Sequence, residues 1–234
     1  MALPYFYEPA ISILSPQFQL SEETSKHCIQ VLRMKTGEQL QLTNGKGGLY
    51  TASISHEDKR HCMVLVEKEE LIPSPSKKIS IAISLLKNAS RFEWFLEKAT
   101  EIGVSEIIPL ICSRTEHTRF RFERMNQIVI AAMLQSQQSW LPTLHEPIKF
   151  SALVNDSKHV QKLIAHCEEE QKTSIQSLTN SNNTLMLIGP EGDFTPQEIN
   201  TALDHSFIPV TLGNTRLRTE TAGIVAATFL AVNL

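Results

Sequence analysis

The sequence predicts two domains in series: a small β-barrel carrying one helix over residues 1–72, a linker at 73–78, and an α/β domain with a parallel sheet over 79–234. Three observations carry that prediction. The segment LIPSPSKK, residues 71–78, places Pro73 and Pro75 two apart among serines. Proline fixes φ and holds its predecessor extended, so neither a helix nor a central strand crosses it. Before it, short segments alternate apolar and polar residues as half-buried strands do. After it, longer helical stretches alternate with short apolar runs, the pattern of a sheet flanked by helices.

In the first part, Gln39–Leu42, Leu49–Ile54 and Met63–Val66 read as strands. The glycine-rich turn Asn44–Gly48 separates the first two and supplies the positive φ that a hairpin needs. One helix, from about Ser21 to Met34, interrupts them, with Ile29 and Leu32 three apart on one face. In the second part ISIAISLL is a buried strand, and Ser90 with Glu93 reads as a capping box opening the helix RFEWFLEKATEIG, which Gly103 ends. EIIPLI is the next strand, followed by a helix around Asn126–Gln137, a weaker strand in VQKLIAH and a strong one in TLMLIG. Thr195, Pro196 and Glu198 then supply the N-cap, the first-turn proline and the capping-box glutamate of another helix. FIPVTLG is the last strand, and a terminal helix starts near Arg218.

Composition narrows the class. With 234 residues, 41% hydrophobic and 20% charged positions and a formal net charge of −3, the chain is neither disordered nor collagen-like. The terminal stretch TAGIVAATFLAVNL falls short of the ~18 apolar residues that read as a membrane span. MALPYFYEPA lacks the basic region of an export signal, so a cytoplasmic protein is expected. Cys28, Cys62, Cys112 and Cys167 are far apart and form no CxxC pair, as expected of reduced and mostly buried thiols. Three His-Cys dipeptides are poor metal sites, because neighbouring side chains diverge, and no metal is expected.

Two strands run into glycine-bearing loops, GPEGDF (residues 189–194) and LGNTRLRTETAG (residues 212–223). Ligands of open α/β sheets gather beyond the carboxyl ends of the strands, where glycine lets backbone approach closely. GPEGDF is not a dinucleotide fingerprint, since its glycines are three apart and the helix starts only near Pro196. Alone, it reads equally as a strand-ending turn. In the second loop Arg216 and Arg218 precede Thr219, Glu220 and Thr221 at a helix start. Arginine is electrostatically unfavourable there unless it meets an anion, although a solvated pair bridged to Glu220 is the plain alternative.

Four stretches in order, HCIQVLRMKTGEQLQLTNGKGGLYTASI, SRFEWFLEKATEIGVSEIIPLICSRTEHT, LIGPEGDFTPQEI and LGNTRLRTETAGIVAATF, resemble the RsmE family of small-subunit ribosomal RNA uridine N3-methyltransferases, of the SPOUT superfamily. The resemblance covers nearly the whole chain. It implies a PUA-like RNA-binding barrel, a trefoil-knotted α/β domain that binds S-adenosylmethionine, and a homodimer acting on 16S rRNA, with the assembled small ribosomal subunit as the expected form of the substrate. Its cofactor loops correspond to Gly189, Pro190, Glu191 and Gly192, and to Leu212, Gly213 and Leu217, with Arg218 and Glu220 as catalytic candidates. The chain departs from the family pattern at Asp193, where GPEGG is usual, at Thr215-Arg216, and at Leu134 and Gln138 of the central helix.

Methylating uridine N3 requires loss of its imide proton, so Arg218 suits stabilisation of charge on the uracil oxygens. Glu220, a carboxylate placed at a helix N-terminus, suits orientation of Arg218 better than proton abstraction. Phosphate contacts dominate RNA affinity, and Arg33, Lys87, Arg91, Arg114 and Arg119 are the candidates. Phe120 and Phe122, interleaved with arginines, could stack on bases or pack in the core. The rival readings are a non-catalytic RNA-binding or ribosome-assembly protein that keeps the fold, a SPOUT enzyme acting on a ribose 2′-hydroxyl, and, weaker, an oxidoreductase.

Overall fold

The computed structural model describes residues 3–169, 171–179 and 181–232. They separate into two units: the first holds the described residues up to Ser74 with Met133–Leu141, the second Pro75–Ala132 and the chain from Pro142 onward.

In the first unit β1 (Tyr5–Tyr7), β2 (Gln17–Gln19), β3 (Gln39–Thr43), β4 (Gly48–His56) and β5 (Met63–Leu71) form one sheet in the order β1-β3-β4-β5-β2. The first pair is parallel and the others are antiparallel. Alternation does what the sequence indicated: Tyr50, Ala52 and Ile54 of β4 point inwards, opposite Leu42, Leu40 and, on the other side, Val64. Slipping this register by one residue would turn the whole set to solvent. Leu20, Cys28 and Cys62 fill the same core. The end strands β1 and β2 do not pair with each other among the described residues, so hydrogen bonding leaves the expected barrel open. At three residues each, both are too short to show alternation.

The helix of this unit is shorter than its apolar spacing suggested. Ser21 Oγ caps α1 (Glu22–Lys26) by accepting from the Thr24 amide at 3.3 Å, and one π-helical turn over His27–Val31 follows. Arg33 therefore lies beyond the helix in left-handed backbone, at φ 56°, and not on a helical face. Residues 133–141 contribute Trp140, whose indole N–H donates to the carbonyls of Ile72 and Pro73, both at 3.1 Å.

The second unit is built from β6 (Lys78–Ser84), α2 (Ala89–Ile102), β7 (Glu106–Ile111), α3 (Phe122–Gln135, whose last turn groups with the first unit), β8 (Thr143–Leu144), β9 (Ile148–Lys149), α4 (Phe150–Asp156), β10 (Gln161–Ala165), β11 (Thr173–Ser174), β12 (Asn183–Ile188), α5 (Pro196–Asp204), β13 (Ile208–Thr211) and α6 (Thr219–Ala231). Its strands run parallel in the order β11-β13-β10-β12-β6-β7-β8, with β9 also on β7. Parallel strands covered on both faces read as unbroken apolar runs, and Ile79–Ser84 and Thr184–Ile188 are buried throughout. Phe150, Val154, Phe194, Ile199 and Phe207 form one core with Leu110, Ile164, Leu185 and Leu187 of the sheet, while α6 packs on α2 and β6.

The helix starts divide. Thr195 and Glu198 form the full capping box of α5, with Pro196 at its first position. The box expected at Ser90 and Glu93 does not form. Asn88 caps α2 instead, its Oδ1 accepting from the Ser90 amide at 2.9 Å, which puts Glu93 too far along the helix to reach back. Glu93 pairs with Arg124, at 2.7 Å to Nε and 3.1 Å to Nη2. All four cysteines are free thiols, three buried and Cys167 exposed. Among the described residues no helix is long and apolar enough to cross a membrane, and no three His, Cys, Asp or Glu side chains are grouped to hold a metal.

One polar cluster sits at the amino ends of the central strands. The Glu106 carboxylate accepts from His145 Nε2 at 2.6 Å and from the Ser80 hydroxyl, and His159 Nε2 lies 3.5 Å away. Hydrogen bonding from His159, then from Ser80 and His145, outweighs the cost of burial and holds the Glu106 pKa at about 2. A depressed carboxylate adds stability that is present above its unfolded pKa and lost as pH falls through the folded value. Glu106→Gln should thus cost about 1–3 kcal/mol at pH 7, and should flatten the loss of stability between pH 5 and pH 2. Urea denaturation at a series of pH values measures both; equal slopes in the two proteins would show that the cluster does not couple to folding.

Candidate active site

Every loop of the site leaves the carboxyl end of a parallel strand, where an open α/β sheet holds its ligands. The loops after β10, β12 and β13, with the first turn of α2, surround two adjoining cavities of about 350 and about 430 Å³. Gly189, Pro190, Glu191, Arg91, Arg218 and Thr219 line the first, and Leu212, Gly213, Asn214 and Thr215 the second. Ala165, Cys167, Arg216, Leu217 and Ala222 belong to both and so form the seam.

The loop after β12 is held from several sides. A Cβ on Gly189 would stand 3.1 Å from both the ring and the backbone nitrogen of Phe194, so glycine is what lets the loop fold onto that ring. The Asp193 amide closes a turn on the Pro190 carbonyl at 2.9 Å. Glu191 Oε1 accepts from the Lys87 amide at 3.3 Å. Arg114 Nη1 donates to the carbonyls of Gly192, at 2.7 Å, and Phe194, at 3.3 Å. The loop after β13 is looser: Gly213 has φ 147° and open space around it, and residues 213–216 are exposed.

Arg218 is the N-cap of α6 but makes no side-chain cap, so its guanidinium is left on the cavity wall. Neither Arg216 nor Arg218 has an ion-pair partner among the described residues. Glu220, in the first turn, is buried; its Oε1 lies 3.7 Å from Arg91 Nε, and its Oε2 has no hydrogen-bond partner among the described residues. The plain alternative for the arginines, a bridge to Glu220, is not what forms: the partner is Arg91. A buried carboxylate oxygen left unpaired costs about 1–3 kcal/mol or more, and such an atom calls for a functional reason.

The structure therefore brings both glycine loops, Arg218 and Glu220 to one place. Gly192 and Glu220 line neither cavity: Gly192 turns toward Arg114, and Glu220 reaches the wall only through Arg91. Of the candidates for RNA contact, Arg91 faces Glu220, Arg114 holds loop carbonyls, and Lys87 Nζ is 2.9 Å from Glu116. Arg119 is exposed, with no ion-pair partner among the described residues, and Arg33 is exposed in the first unit. Phe120 and Phe122 are half-buried, Phe120 edge-on to Phe92 at 6.1 Å and to Phe122 at 6.4 Å. Sequence reasoning missed the wall formed by Ala165 and Cys167. Its only signal was the weak strand VQKLIAH, whose carboxyl end delivers them.

Comparison with known proteins places the chain among its relatives. Residues 73–231 match the family model of an RNA methyltransferase domain, and residues 20–67 that of an RNA methyltransferase PUA domain. Ribosomal RNA small subunit methyltransferase E from Synechocystis is 32% identical over 86% of this chain and 68% of its own. A probable rRNA methyltransferase from Porphyromonas gingivalis is 38% identical, with a TM-score of 0.89 over 96% of this chain and 95% of that one. A putative methyltransferase from Legionella pneumophila, solved with its bound cofactor SAM, is 31% identical, with a TM-score of 0.88 over 98% and 97%. The chain belongs to the family of RNA methyltransferases that contains ribosomal RNA small subunit methyltransferase E.

Proposed function

We propose that the chain methylates N3 of a specific uridine in 16S rRNA, using S-adenosylmethionine bound where the two cavities join. The observation that carries the reading is the convergence of the Gly189 loop and Arg218 on one cavity and the Gly213 loop on the adjoining one, the two sharing the seam at Leu217. The residues fit the cofactor. Two shallow compartments meeting at Leu217 suit a bent ligand with two ends, with Gly189 on the wall of one and exposed Gly213 on the wall of the other. Gly189, Pro190, Glu191, Leu212, Gly213 and Leu217 would hold it; Gly192 would act behind them, through Arg114. The cofactor supplies a methyl group activated by its sulfonium.

The chain's own residues supply the rest. Arg218 presents fixed paired donors, unneutralised by any carboxylate among the described residues, to the uracil oxygens that gain charge as the N3 proton leaves. Glu220, buried in the first turn of α6, pairs with Arg91 and so orients that guanidinium on the wall of the first cavity. Exclusion of water falls to the apolar seam at Ala165, Leu217 and Ala222.

The PUA-like unit, residues 1–72, and the methyltransferase domain at 79–234 divide RNA binding from chemistry in this reading, with 73–78 between them. Arg33, Lys87, Arg91, Arg114 and Arg119 remain the basic candidates, and exposed Arg119 is the best placed for a phosphate. The trefoil knot is part of the same proposal. It is supported by the return of the chain from β13 at one side of the sheet to lay α6 against β6 and α2. So is a homodimer, which would cover the half-buried Ile224 and Val225 of α6. The assembled small subunit in the cytoplasm is the proposed setting.

Calorimetry with S-adenosylmethionine, followed by nucleoside mass spectrometry of undermethylated small-subunit particles incubated with it, tests the reading. Binding and 3-methyluridine are expected. A 2′-O-methyl product would move the chemistry to the ribose, and absence of binding would leave an RNA-binding or assembly protein.

A further inference from the structure

Asp193 is a non-glycine residue in left-handed backbone, at φ 64°, in the loop after β12. A side chain there is costly, and aspartate is one of the few residues that tolerates it. Its carboxylate is fully used. Oδ1 accepts from the amide of Phe194 at 2.8 Å, and Oδ2 accepts from the amide of Cys167 at 2.7 Å. The first bond is local and steadies the turn. The second crosses 26 residues of sequence to the loop after β10. Cys167 is one of the seam residues common to both cavities, and Asp193 lines the first. Glycine at this position would carry the backbone without strain but could not make the connection.

We propose that Asp193 is a positioning residue for the cofactor: by tying the β10 loop to the β12 loop through Cys167 it fixes the width of the seam at which the two cavities meet. The proposal rests on the reading of those cavities as the S-adenosylmethionine site. The strain of the backbone is kept because a charge-assisted bond to a main-chain amide is short, directional and stronger than a neutral one. The contact moves backbone, not a reacting group, so it acts on binding of the cofactor and not on the chemical step.

Three variants of the full chain separate this role from a merely structural one. Asp193→Gly removes both side-chain bonds and relaxes the left-handed backbone together, so these opposed effects should leave its melting temperature little changed. Its Kd for S-adenosylmethionine and for S-adenosylhomocysteine should both rise about tenfold, as loss of one charge-assisted bond implies. KM for the cofactor should follow, with kcat within a factor of about three. Asp193→Asn retains one acceptor oxygen and should recover part of the affinity, whereas Asp193→Ala should lose affinity and stability together. Hydrogen exchange at the Cys167 amide, read without any cofactor, should quicken in Asp193→Gly. Wild-type affinity in Asp193→Gly would overturn the proposal, and so would an unchanged Cys167 exchange rate. If the wild-type protein binds neither ligand while the Cys167 amide still responds, the tie stands, and the cofactor reading falls and takes the proposed role with it.

Discussion

Arg218→Ala is expected to lower methyl transfer by about 10²–10³-fold, the usual loss when one preorganised donor to a developing oxyanion is removed. Cofactor affinity should stay within a few-fold. The distinction follows from position. The glycine loops that line the cavities use backbone, and the Arg218 side chain takes no part in holding them: among the described residues it neither caps α6 nor pairs with a carboxylate. Its guanidinium sits beside the positive end of a helix, an unfavourable place for a cation with nothing to meet. An electron-rich base arriving there would be stabilised by both. Arg218→Lys should recover little, because a single ammonium cannot reproduce the planar paired donors. Single-turnover rates at saturating cofactor, alongside calorimetric affinity, separate the two effects. A turnover within threefold of wild type would remove Arg218 from the chemistry.

How much of this site the sequence could disclose depends on whether a feature is local. The capping box of α5 is legible because Thr195, Pro196 and Glu198 act on one another within a single turn. The pattern Ser90 and Glu93 looked the same and failed, because Asn88 two residues upstream competes for the helix start, and Glu93 finds a better partner in Arg124, 31 residues away. The glycine loops were legible as strand-ending turns, and their meeting was not, since it depends on β10 separating β12 from β13 in the sheet. The same holds for Arg91. Its charge suggested a phosphate, whereas the fold sets it against Glu220 across more than a hundred residues. Asp193 stood out in the sequence only as a departure from a glycine. Its φ and its link to Cys167 give the departure a physical role that no spacing could reveal.

Phe194→Ala should produce the largest loss of stability, about 3–5 kcal/mol in the second unit, and should weaken cofactor binding with it. The side chain is fully buried in the core beneath the β12 loop, its ring 5.4 Å from that of Phe150. The loop is folded onto it: a Cβ on Gly189 would crowd this ring at 3.1 Å, the Phe194 amide donates to Asp193, and its carbonyl accepts from Arg114. Truncation thus opens a cavity in the core and removes the surface on which the loop rests. For a domain of this size the change corresponds to a fall in melting temperature of about 10 °C. Phe194→Leu, which fills most of the volume, should recover most of the stability but only part of the affinity, because a branched aliphatic side chain does not offer Gly189 a flat face. Urea denaturation and calorimetry on both variants decide the matter. If Phe194→Ala lost stability and bound S-adenosylmethionine as tightly as wild type, Arg114 and the Lys87 amide would be enough to hold the loop, and the ring would belong to the core alone.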